Sequence, residues 1–184
     1  AMRTVDKKTR VSRRRFLQTA GAGTAGIIAV ANGAMVMGAG GAWAMEVKHL
    51  QPSTMATLIQ MARDIYPHDH LADAYYAKAM IGYDEAAGKN GDLKQLLQNG
   101  VGTLDSAAQA AHGGNYLSVS WEEDRVALLK SIEQEAFFQT IRGGLITGLY
   151  NQPELWAKFG YEGPSAGEGG YIDRGFDDID WLEA

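Results

Sequence analysis

After residue 50, apolar residues recur along the chain at steps of three and four, the spacing of one face of an α-helix. Met55, Leu58, Ile59, Ala62, Ile65 and Tyr66 form the first stripe, with Pro52 suited to the first helical position and Pro67 as its stop. A second helix is expected from Asp73 as its cap, through Tyr76, Ala79, Met80, Tyr83 and Ala87, to Gly88, with Lys89-Asn90-Gly91 as the turn. Leu93, Leu96, Leu97, Val101, Leu104, Ala108 and Ala111 continue the pattern over Asp92 to Ala111. Gly100 and Gly102 cost that helix about 1 kcal/mol each against alanine, which predicts a kink or a break. Ser120 with Glu123 reads as a capping box opening a fourth helix, whose inner face is Leu128, Leu129, Ile132 and Ala136. The pattern continues or restarts through Phe138, Ile141, Leu145 and Leu149. That strongly apolar stretch is the expected centre of the core, and its Gly144 and Gly148 are spaced to admit another helix closely.

No segment alternates like a strand for more than four residues, apart from Tyr116 to Ser120. The expected fold is therefore all-α, a small helical bundle of about five helices. From Asn151 onward glycine, serine and proline break the helical pattern, yet the segment carries Trp156, Phe159, Tyr161, Tyr171, Phe176 and Trp181. Disordered tails are aromatic-poor. Residues 45–150 are thus expected to form the helical bundle. Residues 151–184 are expected to form an irregular Gly- and aromatic-rich C-terminal segment that packs on this domain or on a partner.

Charge changes the reading of the amino terminus. Residues 1–44 hold seven basic side chains against the single acid Asp6, a balance of +6; since the whole chain carries −5, the other 140 residues carry −11. Ser12-Arg13-Arg14-Arg15-Phe16-Leu17-Gln18 resembles the twin-arginine export motif, with Arg13, Arg14, Phe16 and Leu17 at its defining positions. No charge follows Arg15 until Glu46, and Ala42-Trp43-Ala44 offers small residues at the two positions a signal peptidase reads, Ala42 and Ala44. Residues 1–44 are read as a leader cleaved after Ala44, giving a periplasmic protein that meets the membrane only transiently, during export. A retained membrane anchor is the alternative, since about 20 apolar residues suffice to span. A −11 body also argues against a nucleic-acid partner, which would need a basic surface.

Candidate chemistry is sparse. The chain has no cysteine, which excludes disulfides, thiolate metal sites, a Cys nucleophile and covalent haem attachment. Gly21, Gly23 and Gly26 spell a GxGxxG-like string, but inside the leader and with no strand before it. Asp177, Asp178 and Asp180 lack the rest of a calcium loop. His68 and His70, flanking Asp69, are the weak metal candidates, with Asp73, His49 or His112 as further ligands. Their loop past Pro67 fixes no geometry by itself. Expected in this chain are no catalytic residues and no cofactor of its own.

A family resemblance follows from the leader, from the helix Met55 to Ile65 ending in Tyr66-Pro67, and above all from Gly148-Leu-Tyr-Asn-Gln-Pro-Glu-Leu-Trp156 running into Phe159-Gly-Tyr-Glu-Gly-Pro164. These resemble the gluconate 2-dehydrogenase subunit 3 family, the small or gamma subunits of periplasmic flavin dehydrogenases. His68-Asp69-His70 departs from the family's commoner acidic loop, and Tyr171 to Leu182 does not align. The resemblance implies a noncatalytic subunit that folds, escorts and co-exports a large subunit of the glucose-methanol-choline (GMC) oxidoreductase type. That partner would bind FAD, oxidise an alcohol or sugar, and in many members pass electrons to a cytochrome c. The expected partner interface is Trp156, Phe159, Tyr161, Gly163, Pro164, Tyr171, Arg174 and Trp181, since aromatic and Arg anchors in a Gly-Pro frame are what interface hot spots use. Two other classes stay open: an autonomous periplasmic metal-dependent enzyme using the His68–His70 loop, and a small helical ligand-binding protein.

Overall fold

The computed structural model describes residues 27–30, 35–38, 42–170 and 172. Among them the protein is mostly helical: α1 (Pro52–Ile65), α2 (Asp73–Lys89), α3 (Gly91–His112), α4 (Glu122–Ser131), α5 (Ala136–Tyr150) and the four-residue α6 (Pro153–Trp156). The chain divides into two compact units, Ala1–Leu149 and Tyr150–Ala184.

The centre of the first unit is α1, not α5. Every residue from Thr54 to Ala62 is buried, including the polar Thr54, Thr57 and Gln60, so water is excluded from the helix all round. Helix α5 instead buries one stripe, Phe137, Ile141, Leu145 and Leu149, and leaves Ile146 on the surface. Gln51 precedes α1 in extended conformation and Pro52 opens it, as the sequence indicates.

A small sheet that the sequence pattern does not reveal packs on α1. Strands β1 (Ile27–Val30), β2 (Met35–Gly38) and β3 (Ala44–Glu46) pair antiparallel in the order β1-β2-β3. β1 and β2 both lie against α1, with Val36 and Gly38 buried and Met35 turned outward. The alternation is that of a half-buried strand, but the strands are too short to stand out by periodicity.

Local signals differ from expectation at several ends. Helix α2 runs one residue past Gly88, and Asn90 closes it while its side chain accepts hydrogen bonds from the N–H groups of Asp92 and Leu93, capping α3. Asp73 does not cap α2; its carboxylate is taken by Arg63 at 2.6 Å. The cap position of α4 is Trp121 rather than Ser120, and no side chain caps it, so the capping box does not form. Tyr116–Ser118 is a 3₁₀ turn, not a strand. Helix α3 passes Gly100 and Gly102 unbroken. The α4 pattern restarts rather than continues, with Ala136 exposed at the start of α5.

The α5 glycines do admit a neighbour. A Cβ on Gly148 would stand 3.2 Å from the Ala79 carbonyl oxygen of α2, and one on Gly144 would collide with the Tyr83 hydroxyl. That hydroxyl donates to the Thr140 carbonyl at 2.7 Å, fastening α2 to α5.

Candidate functional site

The carboxy-terminal unit builds its turns around Trp156. Pro153 starts α6, a 3₁₀ turn at Ala157–Phe159 follows, and Gly160 reverses the chain at φ 73°. The Tyr161 N–H then donates to the Trp156 carbonyl at 2.9 Å. The Trp156 indole N–H donates to the Tyr150 carbonyl at 3.1 Å, and its ring meets Tyr161 edge-on at 5.4 Å between centroids. Gly163, at φ 109°, tucks beneath the indole. Phe159 leans on Tyr150 at 5.4 Å.

Of the residues expected at an interface, Trp156 is thus half-buried in its own unit, whereas Phe159 (37%) and Tyr161 (47%) keep much of their surface in water and Pro164 is exposed. Gly163 is buried as backbone. Ile172 is 80% exposed nearby in sequence. Tyr171, Arg174 and Trp181 lie outside the described residues, as do Arg13, Arg14, Phe16, Leu17 and the three aspartates Asp177, Asp178 and Asp180. Ala42 and Ala44 are exposed beside a half-buried Trp43, and Ala44 begins the edge strand β3.

The His68–His70 loop is held more firmly than its sequence suggests. The Tyr76 hydroxyl donates to the Tyr66 carbonyl at 2.7 Å and accepts from the His68 N–H at 3.1 Å. Arg63 reaches over the Tyr76 ring to Asp73 and the Leu71 carbonyl. The two imidazoles stand 5.7 Å apart, and burial, with His70 second, lowers the His68 pKa. The further ligands do not gather there: Asp73 is paired with Arg63, the His49 ring lies against Gly88, and His112 ends α3. Among the described residues no group of three or more His, Cys, Asp or Glu is placed to hold a metal.

Two buried acids escape a sequence-based search. Asp64 on α1 accepts from Arg125 Nε at 2.8 Å and Nη2 at 3.0 Å, from the Tyr116 hydroxyl at 2.7 Å, and from Gln60 at 3.1 Å. Arg125 Nη1 continues to the Val119 carbonyl at 2.9 Å. Burial, then the Asp64 charge, pushes the Tyr116 phenol far up, while the Asp64 carboxylate, outweighing burial, raises Arg125. With both oxygens committed to several donors, Asp64 has the set of a structural tie, not of a proton shuttle. Asp84 on α2 accepts from three successive backbone N–H groups, Lys48 at 2.8 Å, His49 at 2.9 Å and Leu50 at 2.7 Å. Burial alone would raise its carboxyl, but those donors hold it below the usual range. The signal for both was present: Gln60 and Asp64 stand at i, i+4 on one helix, and Asp84 sits between Met80 and Ala87 on the apolar stripe of another.

An open depression of about 450 Å³ borders α3, lined by Asp105, Ser106, Gln109, Ala110 and Asn115. Its Asp105 carboxylate accepts the Tyr116 N–H and its Ser106 hydroxyl donates to Gly102, so these groups serve the backbone. Among the described residues no helix is long and apolar enough to cross a membrane. Compared with known proteins, the chain matches no family model, no curated protein and no solved structure.

Proposed function

We propose that this chain is the noncatalytic small subunit of a periplasmic dehydrogenase, which folds with, escorts and co-exports an FAD-binding large subunit of the GMC type. The observation that carries the reading is the aromatic face of the carboxy-terminal unit. Phe159 and Tyr161 are exposed yet held in fixed positions by Trp156, Tyr150 and the Gly160 turn, so little ordering entropy remains to be lost on docking. Support also comes from the export motif at Arg13 and Arg14 and from the lack of cysteine in a chain addressed like a redox protein. On this reading the flavin and the substrate belong to the large subunit, and a cytochrome c takes the electrons.

The test is purification of the full chain from its own cell, followed by an absorbance spectrum. A stoichiometric partner with the flavin bands is expected. A monomer that brings down no flavoprotein overturns the reading.

A further inference from the structure

Two strands of the segment read as the leader lie against α1. Helix α1 is buried on every side over nine consecutive residues, Thr54 to Ala62, and part of that cover is β1 and β2, which belong to the segment read as a removable leader. Val36 is fully buried there, and β2 is tied to β3 through Met35 opposite Glu46, Val36 opposite Met45 and Met37 opposite Ala44. Beyond the cleavage bond the chain is anchored independently: Val47 is buried, and Asp84 grips the N–H groups of Lys48, His49 and Leu50. Cutting after Ala44 thus leaves residues 47–50 in place, removes β1 and β2, and bares both a side of α1 and the hydrogen-bonding edge of Met45 and Glu46.

We propose that this side of α1 is a second seat for the large subunit, occupied in the free precursor by the β1–β2 hairpin and taken over by an extended apolar segment of the partner. The inference rests on the escort reading. The chemistry of the occupant is read from the segment now seated there: Ile27–Val30 and Met35–Gly38 are uncharged, apolar and extended, and Met35–Gly38 pairs along β3 by main-chain groups that any sequence can supply. Docking of the partner displaces the hairpin.

Hydrogen exchange read by mass spectrometry on the full, uncleaved chain, alone and with its co-purified flavoprotein, tests this. In the free chain the amides of 35–38 and of α1 are expected to be protected. In the complex 35–38 should exchange about tenfold faster or more while α1 stays protected. Leader strands as protected in the complex as in the free chain overturn the seat and leave the escort reading standing; a chain that binds no flavoprotein overturns both. As a second measurement, Val36→Asp should loosen the hairpin and raise the flavoprotein captured by the uncleaved chain severalfold. Unchanged or reduced capture by a folded Val36→Asp chain counts against the seat.

Discussion

The Asp64 carboxylate and the Arg125 guanidinium meet side-on across α1 and α4, Nε to Oδ2 at 2.8 Å and Nη2 to Oδ1 at 3.0 Å, with both side chains almost wholly withdrawn from water. Such a pair owes its strength to completeness. Asp64→Ala leaves a buried guanidinium uncompensated and is expected to destabilise the protein by about 3–5 kcal/mol. The double variant Asp64→Leu with Arg125→Met should recover much of that loss. Urea unfolding of the wild-type chain, Asp64→Ala and the double variant measures it.

Asp84 gives the fold an acid limit. Its carboxyl is held below the usual range in the folded chain, so its contribution is whole above the unfolded value of about 3.9 and is lost as pH falls from there through the depressed folded value. Asp84→Asn should flatten that acid limb and cost about 1–3 kcal/mol at neutral pH by leaving backbone donors poorly matched. Stability as a function of pH, for both chains, decides it.

Tyr116 sets the alkaline side. Burial and the neighbouring Asp64 raise its phenol, so the stabilisation it carries is intact below the unfolded value of about 10 and declines as pH rises beyond it. The ultraviolet band of tyrosinate should show this phenol titrating only as the protein unfolds, and Tyr116→Phe should remove that component.

Two glycines on one helix are expected to respond oppositely. Gly102 has open space where a Cβ would go, so Gly102→Ala should stabilise by about 0.5–1 kcal/mol. At Gly100 the Phe137 ring fills that space, and Gly100→Ala should destabilise by about 1–3 kcal/mol. Thermal melts of the pair read out the contrast.

On the carboxy-terminal unit, Tyr161→Ala should weaken flavoprotein capture by tenfold or more if it acts as a hot spot worth about 2 kcal/mol. Because its side chain is substantially exposed, the melting temperature of the free chain should change little. Capture titrations beside melts separate the two effects.

The helices were legible in the sequence because their apolar stripes are long and regular; α3 and α5 appear within a few residues of where periodicity puts them. The central role of α1 was masked by Thr57, Gln60 and Asp64, buried polar residues that read as a solvent face; Asp64 is matched by Tyr116 and Arg125 from far along the chain and by Gln60 one turn before it. Caps failed where a tertiary partner outbid the local one, as Arg63 does at Asp73. The sheet was invisible because strands of three and four residues in an Ala- and Gly-rich stretch carry no usable period. In the carboxy-terminal unit the sequence shows the aromatics but not their exposure: Trp156 is half-buried while Phe159 and Tyr161, on either side of the Gly160 turn, are exposed.

Asn90 ends one helix and begins the next, leaving α2 and α3 joined by a single residue. A connection that short has almost no closure entropy to overcome, whereas the tie between Asp64 and Arg125 must close a loop of 61 residues. Assembly is therefore expected to start from the α2–α3 hairpin and finish when α4 locks onto α1. Substitutions at Asn90 would then slow folding, and those at Arg125 would chiefly hasten unfolding.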